Sequence, residues 1–209
     1  MNKLMHSDGL RFSQLKPKDL ESNVFMYHLK ILIKSGYVIK VDANYTLTPK
    51  GLSYVDSLSQ ENLKPRKQPK LIAIVAVKNQ LGEYLLLERK FQPYNGQLML
   101  PSGKQHLGED FEAHAKRELC EKTGLKLDLT FRGTANIIIR ENQEVLTHVV
   151  AHIHSGISKE IILPPDNDMF NFHLYEQGNK TNAIMPGTSE ILKLLETTKS
   201  IFVTNLDLN

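Results

Sequence analysis

Residues suited to metal or phosphate chemistry are concentrated between Leu100 and Leu125, in the segment LPSGKQHLGEDFEAHAKRELCEKTGL. The segment opens with a glycine-containing loop, and the pattern that follows predicts a helix over Asp110–Thr123 that ends at Gly124. Four glutamates accompany this helix: Glu109, Glu112, Glu118 and Glu121. Carboxylate oxygens are ligands that Mg²⁺ prefers, so the helix is a candidate for cation binding.

The arrangement of side chains around the helix supports this hypothesis. At about 100° per residue, three apolar residues form one stripe: Phe111, Ala115 and Leu119. Glu118 and Lys122 project into the same sector, whereas a merely solvated helix would turn its charges away from the stripe. We therefore expect Glu118 to face the protein, where it and Glu121, three residues on, can hold a hard cation.

The same segment resembles the Nudix box, G-x5-E-x7-R-E-U-x-E-E-x-G-U, in which U is an apolar residue. Eight fixed positions match in register: Gly103, Glu109, Arg117, Glu118, Leu119, Glu121, Gly124 and Leu125. The flanking segments Tyr84–Lys90 and Gly96–Lys104 are similar to the strand and loop that precede the box. The resemblance covers roughly residues 69–200 and implies a β-sheet sandwiched between helices.

The resemblance also implies an activity, the hydrolysis of a nucleoside diphosphate linked to another group, with Mg²⁺ or alternatively Mn²⁺ as cofactor. In such sites metal ions neutralise the diphosphate oxygens and help to generate the attacking water. The matched positions imply that Glu118 and Glu121 are catalytic metal ligands, with backbone from the Gly103 region. Arg117 is implied to orient a glutamate, and Glu109 to bind metal or support the site.

Two further parts of the site stay open on the sequence alone. Arg89 and Lys122 are the candidates for contacting the substrate. Three residues are available as general base, and no spacing selects one of them: Glu141, Glu144 and Glu176.

Lys122 departs from the Nudix pattern, because it replaces the second of the two adjacent glutamates of the box. An ammonium cannot ligate Mg²⁺ and repels it. Lys122 is therefore either a tethered cation in place of one metal ion or the partner of Glu118 in a simple i,i+4 pair. Such a pair stabilises a helix by only about 0.2–0.5 kcal/mol.

The polar segment Ser57–Pro69 has no helical or strand period and contains two prolines, so it is the predicted joint between two domains. We assign residues 1–57 to a first domain, 58–69 to a linker and 70–209 to the Nudix domain. The expected fold class is α+β, with an α/β/α sandwich as the Nudix part. The predicted elements of that part, apart from the helix of the box, are Ile72–Val77, Tyr84–Glu88, Ala135–Arg140, Val145–His154 and Ser189–Thr197.

The first domain is predicted to contain a helix over Asn23–Ser35 and strands at Tyr37–Val41 and Tyr45–Thr48. Residues 10–51 resemble bacterial winged-helix regulators, whose second helix enters the major groove of DNA. The resemblance implies that six residues contact double-stranded DNA: Ser22, Asn23, Tyr27 and Lys30 on the helix, and Lys40 and Asn44 on the wing. The alternative is that the module docks on a protein or forms a homodimer.

Charge is distributed unevenly along the chain. Residues 1–68 contain 11 Lys and Arg against 6 Asp and Glu, whereas residues 69–209 contain 15 against 17. A basic first domain suits a polyanion such as DNA. The longest apolar run, Leu71–Val77, is far shorter than the ~20 residues that span a bilayer, so no membrane partner is expected. With no signal-peptide pattern and a single cysteine, Cys120, the chain is expected to be soluble and cytoplasmic.

Three histidines share parity on one predicted strand: His148, His152 and His154. They are expected to line one face, as hydrogen-bonded or solvent-facing side chains in preference to a transition-metal site.

Two functions therefore compete. The first is a Nudix hydrolase of a nucleotide-type small molecule with an accessory winged helix, which Glu118 and Glu121 favour. The second is a transcriptional regulator whose Nudix domain senses a nucleotide metabolite without turning it over, which Lys122 and the basic first domain favour.

Overall fold

The computed structural model describes residues 2–59, 62–161, 163–178 and 183–209. The chain divides into two compact units, Met1–Gln68 and Pro69–Asn209, and each has a hydrophobic core of its own. In the described ranges, no helix has the length and apolar content needed to cross a membrane.

The first unit combines short helices with a three-stranded antiparallel sheet of order β1-β3-β2. Its elements are α1 (Asn2–Met5), β1 (Leu10–Arg11), α2 (Phe12–Leu15), α3 (Ser22–Lys34), β2 (Val38–Val41), β3 (Asn44–Leu47) and α4 (Pro49–Asp56). The buried core residues come from both helices and strands: Leu4, Leu15, Leu29, Val38 and Tyr45. The β2–β3 hairpin turns at Asp42, whose φ of 55° is a conformation that aspartate tolerates better than most residues.

The second unit is built on a mixed sheet of order β10-β5-β4-β9-β8-β11, with β6 paired to β5 and β7 paired to β4. Its elements are β4 (Lys70–Lys78), β5 (Tyr84–Arg89), β6 (Leu98–Met99), β7 (Ser102–Lys104), α5 (Phe111–Thr123), β8 (Thr130–Glu141), β9 (Glu144–Ile157), β10 (Phe170–Tyr175), α6 (Thr188–Thr197) and β11 (Phe202–Leu208). The β4–β9 and β8–β11 pairs are parallel, and the other pairs are antiparallel.

Strand β4 lies at the centre of this unit, and its side chains contribute to both hydrophobic cores. Because successive side chains of a strand point to opposite faces, Ala73, Val75 and Val77 pack on the side of α5, while Ile74 and Ala76 pack on the side of α6. The helices therefore cover opposite faces of the sheet. The prediction of a mixed fold with helices on both sides of a multi-stranded sheet is confirmed for this unit.

Candidate active site

Helix α5 is capped at both ends. At its start, Asp110 Oδ1 accepts a hydrogen bond from the backbone amide of Ala113 at 2.8 Å, as N-cap carboxylates do. At its end, Gly124 adopts a φ of 72°, a left-handed conformation that favours glycine. Strand β7 precedes the helix and places Gly103 opposite Ala73 of β4. The glycine loop and the helix are thereby fixed to the same central strand.

The guanidinium of Arg117 gathers three carboxylates and a carbonyl. Its Nε and Nη2 donate to the two oxygens of Glu109, at 2.7 and 2.9 Å. Its Nη1 donates to Glu118 Oε1 at 2.9 Å and to Glu121 Oε2 at 3.1 Å, and Nη2 also reaches the carbonyl of Lys104 at 3.2 Å. The implied catalytic residues of the box therefore form one connected cluster, with Arg117 at its centre.

These contacts keep the cluster ionised. The hydrogen bonds from Arg117 lower the pKa of Glu109 to about 2, and the same bonds raise the pKa of Arg117. Burial alone would raise the pKa of Glu118, but the hydrogen bonds and charges of Lys122 and Arg117 outweigh it, so the pKa lies below its ordinary value.

Glu118 is buried, and both of its oxygens are engaged by cations. Lys122 Nζ donates to Oε2 at 2.5 Å, opposite the bond from Arg117 to Oε1. Gly103 packs directly against this carboxylate, because a Cβ at position 103 would overlap it. Glu118 thus faces the protein, as the helix pattern predicts, and glycine at 103 makes room for it.

The Glu118–Lys122 contact has the spacing of an i,i+4 pair but differs from an exposed pair on the same helix. The Glu112 and Lys116 side chains, 2.7 Å apart, are 65% and 44% exposed, whereas Glu118 and Lys122 are 6% and 20% exposed. A buried pair is less screened by water than an exposed one. Burial also raises the cost of desolvating both groups, so the value of a few tenths of a kcal/mol measured for exposed pairs does not carry over to Lys122.

The carboxylates suit Mg²⁺ in kind, but they are not arranged as a finished metal centre. Among the residues that the structure describes, no three His, Cys, Asp or Glu side chains are grouped to hold a metal ion. The Gly103 carbonyl, a further candidate ligand, lies 3.1 Å from His114 Nε2. Glu121 is exposed and reaches Arg117 only through Oε2. A cation that used both oxygens of Glu118 would have to take the place of the Lys122 ammonium.

Arg89, the other residue predicted to contact substrate, is held within its own loop. Its Nε donates to the carbonyl of Pro93 at 2.9 Å, and its guanidinium lies 3.9 Å from the centre of the Phe91 ring. Burial lowers the pKa of Arg89 from its usual value. The three candidates for the general base are all exposed: Glu141, Glu144 and Glu176.

The predicted face of histidines exists, and a helix adds a fourth member. His152 and His154 are buried, while His148 is half-buried and lies 2.8 Å from Asn136 Oδ1 through Nε2. Sequence reasoning missed His114, which lies four residues before Glu118 and packs against His152. Phe111, predicted to be part of the apolar stripe, is instead 44% exposed and stacks on the His152 ring.

A cavity of about 60 Å³ lies on the α6 side of the sheet. It is lined mainly by apolar side chains, and Ser102 of the glycine loop is part of its lining. A wider cleft of about 950 Å³, bordered by Tyr94 and Arg140, shares Ile139, Thr147 and Pro186 with it. The two together form a concave surface suited to an apolar or aromatic group next to a polar one.

In the first unit, the six residues predicted to contact DNA are all exposed. Asn23, Tyr27 and Lys30 follow one another at intervals of four and three residues on α3, so they share one face of the helix. Ser22 begins α3, whereas Lys40 and Asn44 lie on the β2–β3 hairpin.

The fold and the cluster around Arg117 define an α/β domain in which one of the helices that cover the sheet carries the carboxylate cluster. The NUDIX domain model matches residues 68–186, more than half of the chain, and the chain therefore belongs to the Nudix family. This confirms the resemblance drawn from the box. No curated protein matches the chain significantly.

Solved structures share the fold at low sequence identity. The mutator MutT protein of Bacillus halodurans is 17% identical with a TM-score of 0.55, over 66% of this chain and 89% of its own. The MutT NUDIX hydrolase of Burkholderia pseudomallei is 23% identical with a TM-score of 0.52, over 61% and 98%. The NUDIX domain of Shewanella oneidensis NrtR, crystallised with ADP ribose, is 17% identical with a TM-score of 0.50, over 69% and 93%.

Proposed function

We propose that the second unit hydrolyses a nucleoside diphosphate linked to another group, with Mg²⁺, or alternatively Mn²⁺, as cofactor. The observation that carries this proposal is the convergence of Glu109, Glu118 and Glu121 on Arg117 beside the glycine loop. Three carboxylates against the two cations that contact them, Arg117 and Lys122, leave one net negative charge, which attracts a divalent cation and, through it, a diphosphate.

Glu118 and Glu121 would hold the cation, which when bound supplies charge neutralisation and a more acidic water. Arg117 orients both carboxylates and holds Glu109 in place through two hydrogen bonds. Gly103 provides the space in which the Glu118 carboxylate lies. In this division of roles, Arg117 and Gly103 are positioning residues.

The ligand we propose is of the nucleotide type, and ADP-ribose is the first candidate to test. ADP-ribose is the ligand bound by the NUDIX domain of Shewanella oneidensis NrtR. The apolar cavity lined in part by Ser102 and the open cleft beside Arg140 are of a kind that can hold a base or sugar while the diphosphate lies at the carboxylate cluster around Arg117.

The test is a hydrolysis screen with Mg²⁺ over ADP-ribose, nucleotide sugars, dinucleotides and nucleoside triphosphates, monitored by release of a nucleoside monophosphate. Glu121→Gln and Glu118→Gln should lose turnover, and Glu121→Gln should fold normally because its side chain is exposed. Glu112→Gln, an exposed change on the same helix, is the matched control and should keep full activity. Full turnover in Glu121→Gln would exclude Glu121, and full turnover in Glu118→Gln would exclude Glu118, from the reaction.

A second candidate function, a regulator that senses the nucleotide without hydrolysing it, is supported by a different observation. The Lys122 ammonium forms an ion pair with Glu118 and thereby partly neutralises the carboxylate that a metal ion would use. The exposed face of α3 also carries Asn23, Tyr27 and Lys30, which a DNA-reading helix could use.

This second function is tested by titrating promoter fragments from upstream of the protein's own gene, with and without ADP-ribose. Binding should weaken steeply as salt rises, because phosphate contacts release counterions. Ligand and DNA should change each other's affinity by the same factor. The double variant Asn23→Ala, Lys30→Ala should lose DNA binding and keep ADP-ribose binding. Wild-type binding to the promoter that is no tighter than binding to unrelated DNA would contradict the regulator and leave the hydrolase as the only proposed function.

A further inference from the structure

Three histidines, one on α5 and two on β9, form a continuous column between the helix and the sheet in the second unit. His114 Nδ1 lies 2.9 Å from His152 Nε2, and His152 Nδ1 lies 3.1 Å from His154 Nε2. All three side chains are buried, and the column ends at the Gly103 carbonyl, 3.1 Å from His114 Nε2. The column thus joins strand β9 to the glycine that lies against Glu118.

The chemistry of the two ends sets the direction of the hydrogen bonds. A carbonyl can only accept, so the hydrogen of His114 must be on Nε2. A neutral imidazole has one N–H, so His114 Nδ1 accepts from His152 Nε2, and His152 Nδ1 accepts from His154 Nε2. The column then ends on the lone pair of His154 Nδ1, which is buried without a hydrogen-bond partner in the described part of the chain.

The reverse direction is disfavoured by the same contacts. It would set the lone pair of His114 Nε2 against the Gly103 oxygen and leave a buried N–H unpaired on His154. A single tautomer, with hydrogen on Nε2, therefore fits every ring.

We propose that the His114–His152–His154 column is a positioning device that holds the Gly103 carbonyl and thereby the backbone against which Glu118 packs. Each bond donated to an Nδ1 makes the Nε2–H of the same ring a stronger donor, so the bond to Gly103 depends on rings that do not touch it. His152 and His154 act on the site through His114. This role concerns the position of Gly103 and does not depend on whether the domain hydrolyses its ligand.

The first test is the tautomeric state of the rings in the full-length protein. Long-range ¹H–¹⁵N spectra of histidine-labelled protein at neutral pH should show the hydrogen on Nε2 in all three residues of the column. A hydrogen on Nδ1 of His114 would overturn the proposal.

The second test asks whether His152, which does not contact Gly103, controls its carbonyl. In His152→Leu the ¹³C resonance of the Gly103 carbonyl should move upfield, as expected for a weakened hydrogen bond. His152→Gln can both donate and accept, so it should restore most of the shift. His148→Leu, on the same strand but outside the column, is the matched control and should leave Gly103 unchanged.

An unchanged Gly103 carbonyl in folded His152→Leu would overturn the proposal, because a purely structural histidine predicts that result. If His152→Leu does not fold, His154→Leu at the far end of the column serves the same purpose. It should give a smaller shift in the same direction, and an absent shift would again contradict the proposal. Neither test measures turnover, so its failure is distinguishable from failure of the hydrolase proposal.

Discussion

Helices α3 and α5 both contain 13 residues, but in neither does the degree of burial follow the apolar content of the helix. Helix α3 is mostly apolar, yet only Leu29 is buried, while Val24, Tyr27 and Ile31 are exposed. Helix α5 is rich in charge, yet five of its residues are buried: His114, Ala115, Glu118, Leu119 and Thr123.

The difference comes from the core and the hydrogen-bond partners that are available to each helix. Helix α3 belongs to a small unit, whose core is too limited to cover more than one of its faces. The buried polar side chains of α5 all have partners: His114 meets His152 and Gly103, Glu118 meets Arg117 and Lys122. Since a buried polar group is tolerated when it is hydrogen-bonded, pairing decides the burial of α5 more than hydrophobicity does.

The sharpest test of this comparison is Glu118→Gln. The change removes the charge between Arg117 and Lys122, so Lys122 loses its carboxylate partner while Arg117 keeps only Glu109 and Glu121. Breaking a buried pair by removing one partner costs about 3–5 kcal/mol of stability. Denaturant unfolding measures the loss. Glu112→Gln removes the same kind of i,i+4 contact from an exposed position and should cost less than about 0.5 kcal/mol. Equal losses in the two variants would show that burial adds nothing to the Glu118 pair.

A second test uses pH. Burial, followed by the neighbouring charges of His154 and His114, lowers the pKa of His152 to about 4, whereas an unfolded histidine titrates near 6.5. The unfolded chain therefore takes up protons first as pH falls. The stability due to neutral His152 is fully present above about pH 6.5 and is lost as pH falls toward 4, by about 1–2 kcal/mol at pH 5.

The measurement is the free energy of unfolding of wild type and His152→Gln at pH 8 and pH 5. His152→Gln should lose less stability over this interval than wild type. Glu109, whose charge raises the pKa of His152, is unchanged in the variant. Its own titration therefore contributes to the pH dependence of stability in both proteins. Identical pH dependence in the two would show that His152 is not held neutral by burial.

Lys122 gives a third, smaller effect, seen in cation binding. Lys122→Glu replaces the ammonium on Glu118 with an oxygen ligand, so Mg²⁺ affinity measured by calorimetry should rise on the order of tenfold, or about 1.4 kcal/mol. Turnover should rise with it if Lys122 only blocks the metal. Lys122→Met is the control, since it removes the charge without adding an oxygen and should give a smaller gain.

The opposite result is equally informative. Loss of activity in both variants, with tighter Mg²⁺ binding, would mean that Lys122 contacts the substrate or replaces a metal ion. No change in Mg²⁺ affinity would mean that the buried contact with Glu118 does not compete with the cation.

The smallest effect is expected on α3. Tyr27 is 64% exposed, so Tyr27→Ala should change the stability of the first unit by no more than about 0.5 kcal/mol. Leu29→Ala, two residues away on the buried side, should cost about 2–5 kcal/mol. Hydrogen exchange of the α3 amides distinguishes the two. A large loss in Tyr27→Ala would mean that this face is covered in solution.

The sequence predicts local features of this fold well and distant ones poorly. Helix α5, with Gly124 as its stop, follows from periodicity and end signals within a single segment. Helix α4 was missed although its signal was present, since Thr48 caps it and Pro49 is its first residue. Strands β10 and β11 were missed because their pairing partners, β5 and β8, lie far away in the sequence.

The same limit applies to the site. The inward direction of Glu118 is a property of one helix and was predictable from its spacing. The role of His114 depends on His152, 38 residues later, and nothing in the helix alone indicates it. Phe111 was placed on the apolar stripe, but it lies at the edge of the helix, where it covers the His152 ring instead of entering the core.

The Lys122 ammonium on Glu118 has a consequence for how quickly a cation can bind. A divalent ion that binds Glu118 through Oε2 can do so only after the ammonium has left that oxygen, so association is an exchange and not a simple encounter. The observed rate should therefore rise with cation concentration only up to the rate at which the lysine side chain departs. At higher cation concentrations, dissociation of the Lys122 ammonium from Glu118 limits the rate of cation binding.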